Sequence, residues 1–516
     1  MGTCAGISLI QIEALSSPHS SSVRGGAGGG APLTWPPRQP SLSRLPVPSH
    51  PADPRPPLSS AAPPAASGDP IASPGTATAV PGLKRTLTTL SLVGVMYFNT
   101  SGGAYSLEGV VAEVGPGLTL LIVLVVPLIW ALPETLIVAE LSSMLPVEGG
   151  YYRWVQRAFG RFAAFQNGWM TWVYSLLDMA LYPVLFNQYL AFFVPGLGAP
   201  ARWAVSLAVI WSATAINLRG AFRVGRVSVF AGAFIVAGFL AFALAALPNV
   251  SHVPWMPFTT GGEFGLGALG VALSTVLWNY LGWDNASTVQ GEVVYAERTY
   301  PRALFLTLPL VTLGYVIPLL TGLAASDGTT WREGGWPDIA TQAAAFGGRW
   351  IGGWLALGGM VSALALFNSL LMAYSRIPLV MAADGLLPAA LARTDERGTP
   401  RNAVLVSAVF YSVFSLFSFG HLVTADVLLY SLALMMEFAA LLALRIREPG
   451  LRGPFRLPVG VAGVAVLAAV PALVLTVVTV LNLRDPEYGA PAVLSALAVA
   501  ALGPALYAFA RRGARA

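Results

Sequence analysis

Cysteine is nearly absent. Cys4 stands alone, so no disulfide can close within the chain and no redox compartment can be read from it. Lysine is equally scarce: Lys84 is the only one among 29 basic residues, and the rest are arginines. These are scattered rather than gathered into a basic block with interleaved aromatics, which argues against a nucleic-acid partner. The four histidines, His19, His50, His252 and His421, lie far apart. No HExxH, CxxC, nucleophile elbow or nucleotide-binding motif is present, which leaves no sequence basis for a metal, a cofactor, a catalytic centre or direct use of a nucleotide. The largest deficit is charge itself. Only 10% of the residues are Asp, Glu, Lys or Arg, against roughly 25% in soluble domains.

What fills the space is apolar. Hydrophobic residues make up 55% of the 516, too many for an aqueous fold to cover, and a bilayer removes the need to cover them. Residues 1–85 stand apart: they are rich in Pro, Ser, Gly and Ala, lack apolar periodicity and read as a disordered tail. The run from Ile7 to Ile12 is too short for a signal peptide. The stretch has a faint likeness to an organelle transit peptide; the plainer alternative is an upstream extension, with the translation start near Leu83. From residue 86 to 512 the sequence predicts one all-α membrane domain. Apolar runs long enough to cross about 30 Å of hydrocarbon fall near 87–112, 117–144, 162–194, 202–218, 227–248, 265–290, 303–325, 350–382, 402–419, 424–444, 460–482 and 490–510. Counting from Lys84 onward, placing the N-terminus in the cytoplasm puts 21 basic residues on that side and only Arg202, Arg332, Arg349 and Arg484 on the other. The asymmetry predicts about twelve helices, both termini cytoplasmic, in a plasma or inner membrane.

Two of these runs are interrupted alike. The first contains Asn99-Thr100-Ser101-Gly102-Gly103-Ala104, and the sixth Trp278-Asn279-Tyr280-Leu281-Gly282-Trp283-Asp284-Asn285. Glycine beside polar residues at membrane depth survives where backbone lines a protein cavity. Breaks five runs apart predict two five-helix repeats of inverted topology around a midplane site. Close helix packing through small residues is the plainer alternative.

Four groups of motifs lie in order along the chain. They are Ser101-Gly102-Gly103-Ala104-Tyr105; Pro133-Glu134 through Ala139-Glu140-Leu141, with Gly149-Gly150 and Trp154; Trp278-Asn279 through Trp283-Asp284-Asn285, with Gly291-Glu292 and Tyr300-Pro301; and Ser375-Arg376, Asp384-Gly385-Leu386-Leu387-Pro388 and Gly398-Thr399-Pro400. Together they resemble the amino acid–polyamine–organocation superfamily, most of all its branch of plant polyamine uptake transporters and their bacterial relatives. The resemblance implies a leucine-transporter-like fold and secondary transport of an amino acid or polyamine by alternating access. It also implies that Asp284 occupies the position of a glutamate in or beside the substrate site of two exchangers, and that Trp278 occupies a gating position.

The candidate substrate-binding residues are therefore Ser101, Gly102, Gly103, Asp178, Trp278, Asn279, Tyr280, Gly282 and Asp284, with Glu134, Glu140 and Trp283 as candidates for coupling or gating. Buried acids in a membrane are costly and so point to function. Asp284 has two readings, a partner for an ammonium group and a helix cap. Asp178 stands where the resemblance implies an asparagine, which favours a cationic substrate or a proton; a local hydrogen bond is the plainer reading. Glu134 and Glu140 are six residues apart and point to helix faces about 120° from one another, so they do not form one paired site on that helix. Each serves either proton coupling or structure. Glu108, a turn or two past the first break, is expected to face the outer vestibule, and Glu437 in the tenth run is a further intramembrane acid with no assigned side. The amides of Ser101, Gly102 and Gly103 would hold an amino acid's carboxylate, whereas a diamine would use Asp178 and Asp284. Asp384 and the Gly149–Trp154 loop are expected on the cytoplasmic side, with Arg376 meeting an inner acid. Proton symport or plain exchange would drive transport; the fifth run, Val227 to Ala246, has no ionisable residue to act as a built-in cation. Two other readings stand: a transporter of neutral or cationic amino acids, and a membrane sensor that binds the solute without moving it.

Overall fold

A backbone in lipid must satisfy its own hydrogen bonds, and a helix does so within one segment. The computed structural model describes residues 85–260, 265–396, 398–416, 419–484 and 489–513, and over these the secondary structure is helical, with no strand among the described residues. By its contacts the chain separates into units Met1–Pro70 and Ile71–Ala516, and every described residue belongs to the second. The predicted disordered tail falls outside the described residues but for Arg85.

The helices in order are α1 Thr89–Thr100, α2 Leu107–Val114, α3 Pro116–Val126, α4 Leu132–Met144, α5 Gly150–Phe159, α6 Arg161–Leu190, α7 Ala199–Asn217, α8 Ala221–Ala246 and α9 Leu266–Trp278. There follow α10 Ala296–Ala325, α11 Trp336–Ala343, α12 Gly348–Tyr374, α13 Arg376–Ala383, α14 Arg401–Phe414, α15 Phe419–Arg447, α16 Val461–Asn482 and α17 Gly489–Gly513. Each predicted apolar run falls on one helix or on a broken pair. Among the described residues, eight helical stretches are long and apolar enough to cross a membrane, and α9 and α14 are shorter apolar helices. Large apolar side chains such as Phe230, Leu244, Leu306, Leu473 and Phe509 face outward, a belt suited to lipid and not to water.

Burial ranks the helices. The most apolar window of the stretch Gly348–Ala383 is 78% buried, whereas those of Val461–Asn482 and Gly489–Ala510 are only 17% and 22% buried. Helix α12 is thus central, packed on α6, α8 and α11, while α16 and α17 form a rim, α16 packed mainly on α15 and α9 and α17 on α15 and α6. Between α3 and α4 the chain adopts a π-helical turn, Pro127–Ala131. Pro127 has no N–H to give to the preceding turn, and π-turns cluster at functional sites.

Both predicted breaks are present. After α1, Gly102 and Gly103 take φ of +81° and +112°, and Ser106 takes +77° before α2 begins. After α9, Gly282 takes φ +99° and the chain continues as a 3-10 segment, Asn285–Glu292. The breaks touch: a methyl group on Gly282 would collide with the Asn99 carbonyl, and Asn279 Nδ2 donates to Ser106 Oγ at 3.0 Å.

The Gly149–Trp154 segment corrects one expectation: it opens α5 instead of forming a loop. Tyr151, Tyr152, Trp154, Val155 and Ala158 make its buried face, and Arg157 lies on the opposite side. Its spacing is helical, but at ten residues it is too short to register as an apolar run.

Candidate functional site

Where the breaks meet, side chains from α1, α6, α9, α12 and α15 enclose a cavity of about 20 Å³. Its wall includes Asn99, Ser101, Asp178, Trp278, Asn279 and Gly282, closed by Tyr182, Tyr374, Asp426 and Tyr430. Asp178 Oδ1 accepts from the Tyr182 hydroxyl at 2.7 Å and from Trp278 Nε1 at 3.1 Å, and Oδ2 accepts from the Tyr374 hydroxyl at 2.8 Å. Three neutral donors therefore hold this carboxyl without cancelling a charge on it. Asp426, which interacts with Asp178, is 2% exposed, and its Oδ1 has no hydrogen-bond partner. Among the described residues no arginine, lysine or histidine lines the cavity. Aromatic faces do: Tyr182 and Trp278 stack with centroids 5.9 Å apart, and Tyr174 lies edge-on to both Tyr374 and Tyr430.

The backbone amides at the first break are already engaged. Ser101 N and Gly102 N donate to Tyr97 O at 2.8 and 3.3 Å, and Gly103 N donates to Ser101 Oγ at 3.0 Å. At the second break, Gly282 N donates to the Tyr430 hydroxyl at 2.9 Å and Trp283 N to Glu134 Oε1 at 3.2 Å.

Behind Tyr430 lies a second group of acids. Its hydroxyl contacts Glu134 Oε1 at 2.8 Å and also Asp284 Oδ1, and Glu437 interacts with Asp284. All three carboxyls are buried, and Glu134 Oε2 and Glu437 Oε2 have no hydrogen-bond partner.

Two broken helices around a buried polar cavity are an arrangement that many membrane carriers share. The profile of a family described as amino acid permease matches residues 87–500. The chain belongs to the amino acid permease family. Over 401 residues the permease is 35% identical to a protein named polyamine transporter PUT1 from Oryza sativa subsp. japonica, covering 77% of this chain and 74% of the relative. It is 36% identical over 397 residues to polyamine transporter RMV1 from Arabidopsis thaliana, covering 76% and 79%. A more distant relative, named methylthioribose transporter, from Bacillus subtilis (strain 168), is 27% identical over 401 residues, covering 73% and 84%. The permease is thus a multi-pass membrane transporter and not an enzyme.

The permease distributes its candidate residues unevenly. Ser101, Asp178, Trp278, Asn279 and Gly282 line the cavity. Gly102 and Gly103 do not; added methyl groups would strike Ser362 and Leu366, or Ile235, so both serve the turn and its packing on α12 and α8. The Tyr280 hydroxyl donates to Val123 O at 3.1 Å, and Trp283 Nε1 donates to Tyr280 O at 2.9 Å. Asp284 and Glu134 sit in the second acid group. Glu140 is tied to Arg445 by bonds of 2.7 and 2.5 Å and accepts from Leu457 N at 2.8 Å. Glu108, above the first break, accepts from the Tyr189 hydroxyl at 2.5 Å. Sequence reading missed Asp426, Tyr182, Tyr374 and Tyr430. Asp426 lies at the start of the tenth apolar run, where a charge ordinarily marks a boundary, and the tyrosines resemble interfacial aromatics.

At the end expected to be cytoplasmic, the permease is held by ion pairs. Arg376 pairs with Glu292 and lies 3.7 Å from Glu148. Arg153 binds Asp384 at 2.8 Å, and Arg157 binds Glu448 at 2.7 Å. Glu148, in the loop between α4 and α5, has its carboxyl pushed up to about 8 by burial and by the charge of Glu292, with Arg376 and the Gly291 N–H pulling the other way.

Proposed function

We propose that the permease takes up a small cationic amine, a diamine or polyamine, together with protons by alternating access. One observation carries this reading: among the described residues the cavity wall presents two carboxyls, Asp178 and Asp426, and no basic side chain, while the neighbouring amides are engaged inside the protein. An ammonium group leaving water needs a close anionic partner, and Asp426 Oδ1 is unengaged. The face of Trp278 stacked on Tyr182 adds cation–π attraction worth about 2 kcal/mol when desolvated. A carboxylate would find neither a positive side chain nor a spare break amide among those described above.

The architecture that suits this function has twelve spans, with α1–α2 and α9 with its 3-10 segment as the broken members of two inverted five-span repeats. Both termini lie in the cytoplasm of a plasma or inner membrane. A cavity of about 20 Å³ holds about one water molecule, so admitting an amine requires Trp278, Tyr430 or the break segments to move. The bundle of α1–α2, α3–α4, α9 and α10 then rocks against the helices around α6 and α12. The polyamine transporters among the relatives support the amine. The family's description supports a second reading, an amino-acid carrier.

Uptake of radiolabelled putrescine, spermidine and a panel of amino acids into proteoliposomes tests the two. Saturable putrescine or spermidine uptake, enhanced by an inward proton gradient, is expected. Asp178→Asn and Asp426→Asn should each reduce it about 30-fold or more, the cost of removing one partner from a buried charge pair. Uptake confined to amino acids would overturn the polyamine reading. Ligand binding without flux of any solute would point to a sensor.

A further inference from the structure

The Tyr430 hydroxyl has three polar neighbours: the Gly282 N–H, Glu134 Oε1 and Asp284 Oδ1. The N–H donates to the phenol oxygen. That leaves one hydroxyl hydrogen for two carboxyl oxygens, and an ionised carboxylate has no hydrogen to offer. The remaining oxygen–oxygen contact closes only if a carboxyl contributes its own proton. Glu437 adds a third buried acid beside Asp284.

Glu134 Oε1 also accepts from the Trp283 N–H, but among the described residues the surroundings bring no cation to the group. Neutral side chains surround it: Tyr151 from α5, Tyr174 and Asn167 from α6, Trp130 from the π-turn, and Tyr300 from α10, whose hydroxyl donates to Trp283 O at 3.0 Å and lies 3.3 Å from Asp284 O. None of the ion pairs among the described residues involves Glu134, Asp284 or Glu437. Arg445, further along α15, is committed to Glu140. Among the described residues no His, Cys, Asp or Glu group has a geometry that could hold a metal ion. Two carboxyl oxygens, Glu134 Oε2 and Glu437 Oε2, are buried without partners.

Building on the reading of the permease as proton-coupled, we propose that Glu134, Asp284 and Glu437, joined through Tyr430, form its proton-binding site, separate from the amine-binding carboxyls Asp178 and Asp426. Tyr430 belongs to both: it lines the cavity, and its hydroxyl lies in the acid group. Gly282 is shared in the same way, lining the cavity while its N–H holds that hydroxyl. Motion of the second break removes this N–H and rearranges the shared contacts. A proton taken from water on one side is thereby given up to water on the other, with the amine travelling through the cavity beside it.

The test uses the full-length protein in proteoliposomes, comparing putrescine uptake with and without an inward proton gradient, together with putrescine binding to the same protein in detergent. Wild type should show uptake accelerated several-fold by the gradient. In Glu134→Gln/Glu437→Gln the ratio of uptake with gradient to uptake without it should fall to about one while putrescine still binds; Tyr430→Phe, which deletes only the bridging hydroxyl, should lower the same ratio. A several-fold ratio persisting in both variants would overturn the site and leave the amine reading standing. So would wild-type uptake driven by sodium or indifferent to the proton gradient. Loss of putrescine binding in both variants would also overturn it, by placing these acids in the amine site. Absence of amine binding and flux in wild type would instead sink the polyamine reading itself.

Discussion

Glu148 shows how one buried side chain sets a pH response. Its carboxyl is raised from an ordinary 4.5 to about 8 by burial and by Glu292. Between those values the folded protein holds a proton that the unfolded chain has released. Linkage then makes stability fall as pH rises through this window. The melting temperature in detergent should decline from pH 5 to pH 8, and Glu148→Gln, which stays neutral throughout, should flatten that part of the decline. An equal slope in the variant would show that Glu148 is not the responsible group. Asp178 and Asp426 illustrate the limit of reading one residue at a time. Asp178 was legible because a carboxyl mid-run is costly; Asp426 was not, because at the start of a run the same residue looks like an ordinary boundary. Only the fold, which brings α6 and α15 together, shows that both face one cavity.

In the proposed mechanism the breaks are the elements on which transport turns, and the glycines of the chain differ in what they are for. Gly282 has φ +99° and no space for a side chain against Asn99. Alanine there pays the left-handed penalty of about 1–2 kcal/mol as well as a backbone collision. Gly282→Ala should lose at least ten-fold in uptake rate, measured on protein that still elutes as a single species. Gly314, mid-α10, has nothing near the position of an added methyl group; Gly314→Ala should leave uptake within two-fold and stabilise the helix by up to about 1 kcal/mol. If both variants behaved alike, the break would not be the working element. The breaks themselves were legible because glycine beside polar residues at membrane depth is costly unless protein surrounds it. Helix α5 was not, since its apolar face is only three turns long and charge interrupts it. The tie between Glu140 and Arg445 was also hidden: the residues lie 305 positions apart, and one sequence carries no sign that they meet.

For the whole molecule, the run lengths and the arginine asymmetry gave the broadest expectations, because bilayer thickness and membrane charge act on every segment alike. Orientation can be checked directly, since Cys4 is the only native thiol. In a Cys4→Ala background, Arg332→Cys should react with an impermeant maleimide in intact cells, and Arg452→Cys only after permeabilisation. The opposite pattern would invert the proposed topology.

The rim helices carry a different lesson. With only 17% and 22% of their most apolar windows buried against the rest of the protein, α16 and α17 meet their surroundings mostly as apolar surface. Selection on most of their positions then acts on chemical kind and not on identity: one aliphatic residue serves as well as another. Neutral drift should run fastest there and slowest around α12, so that over evolutionary time the permease would change its outline long before it changed its interior.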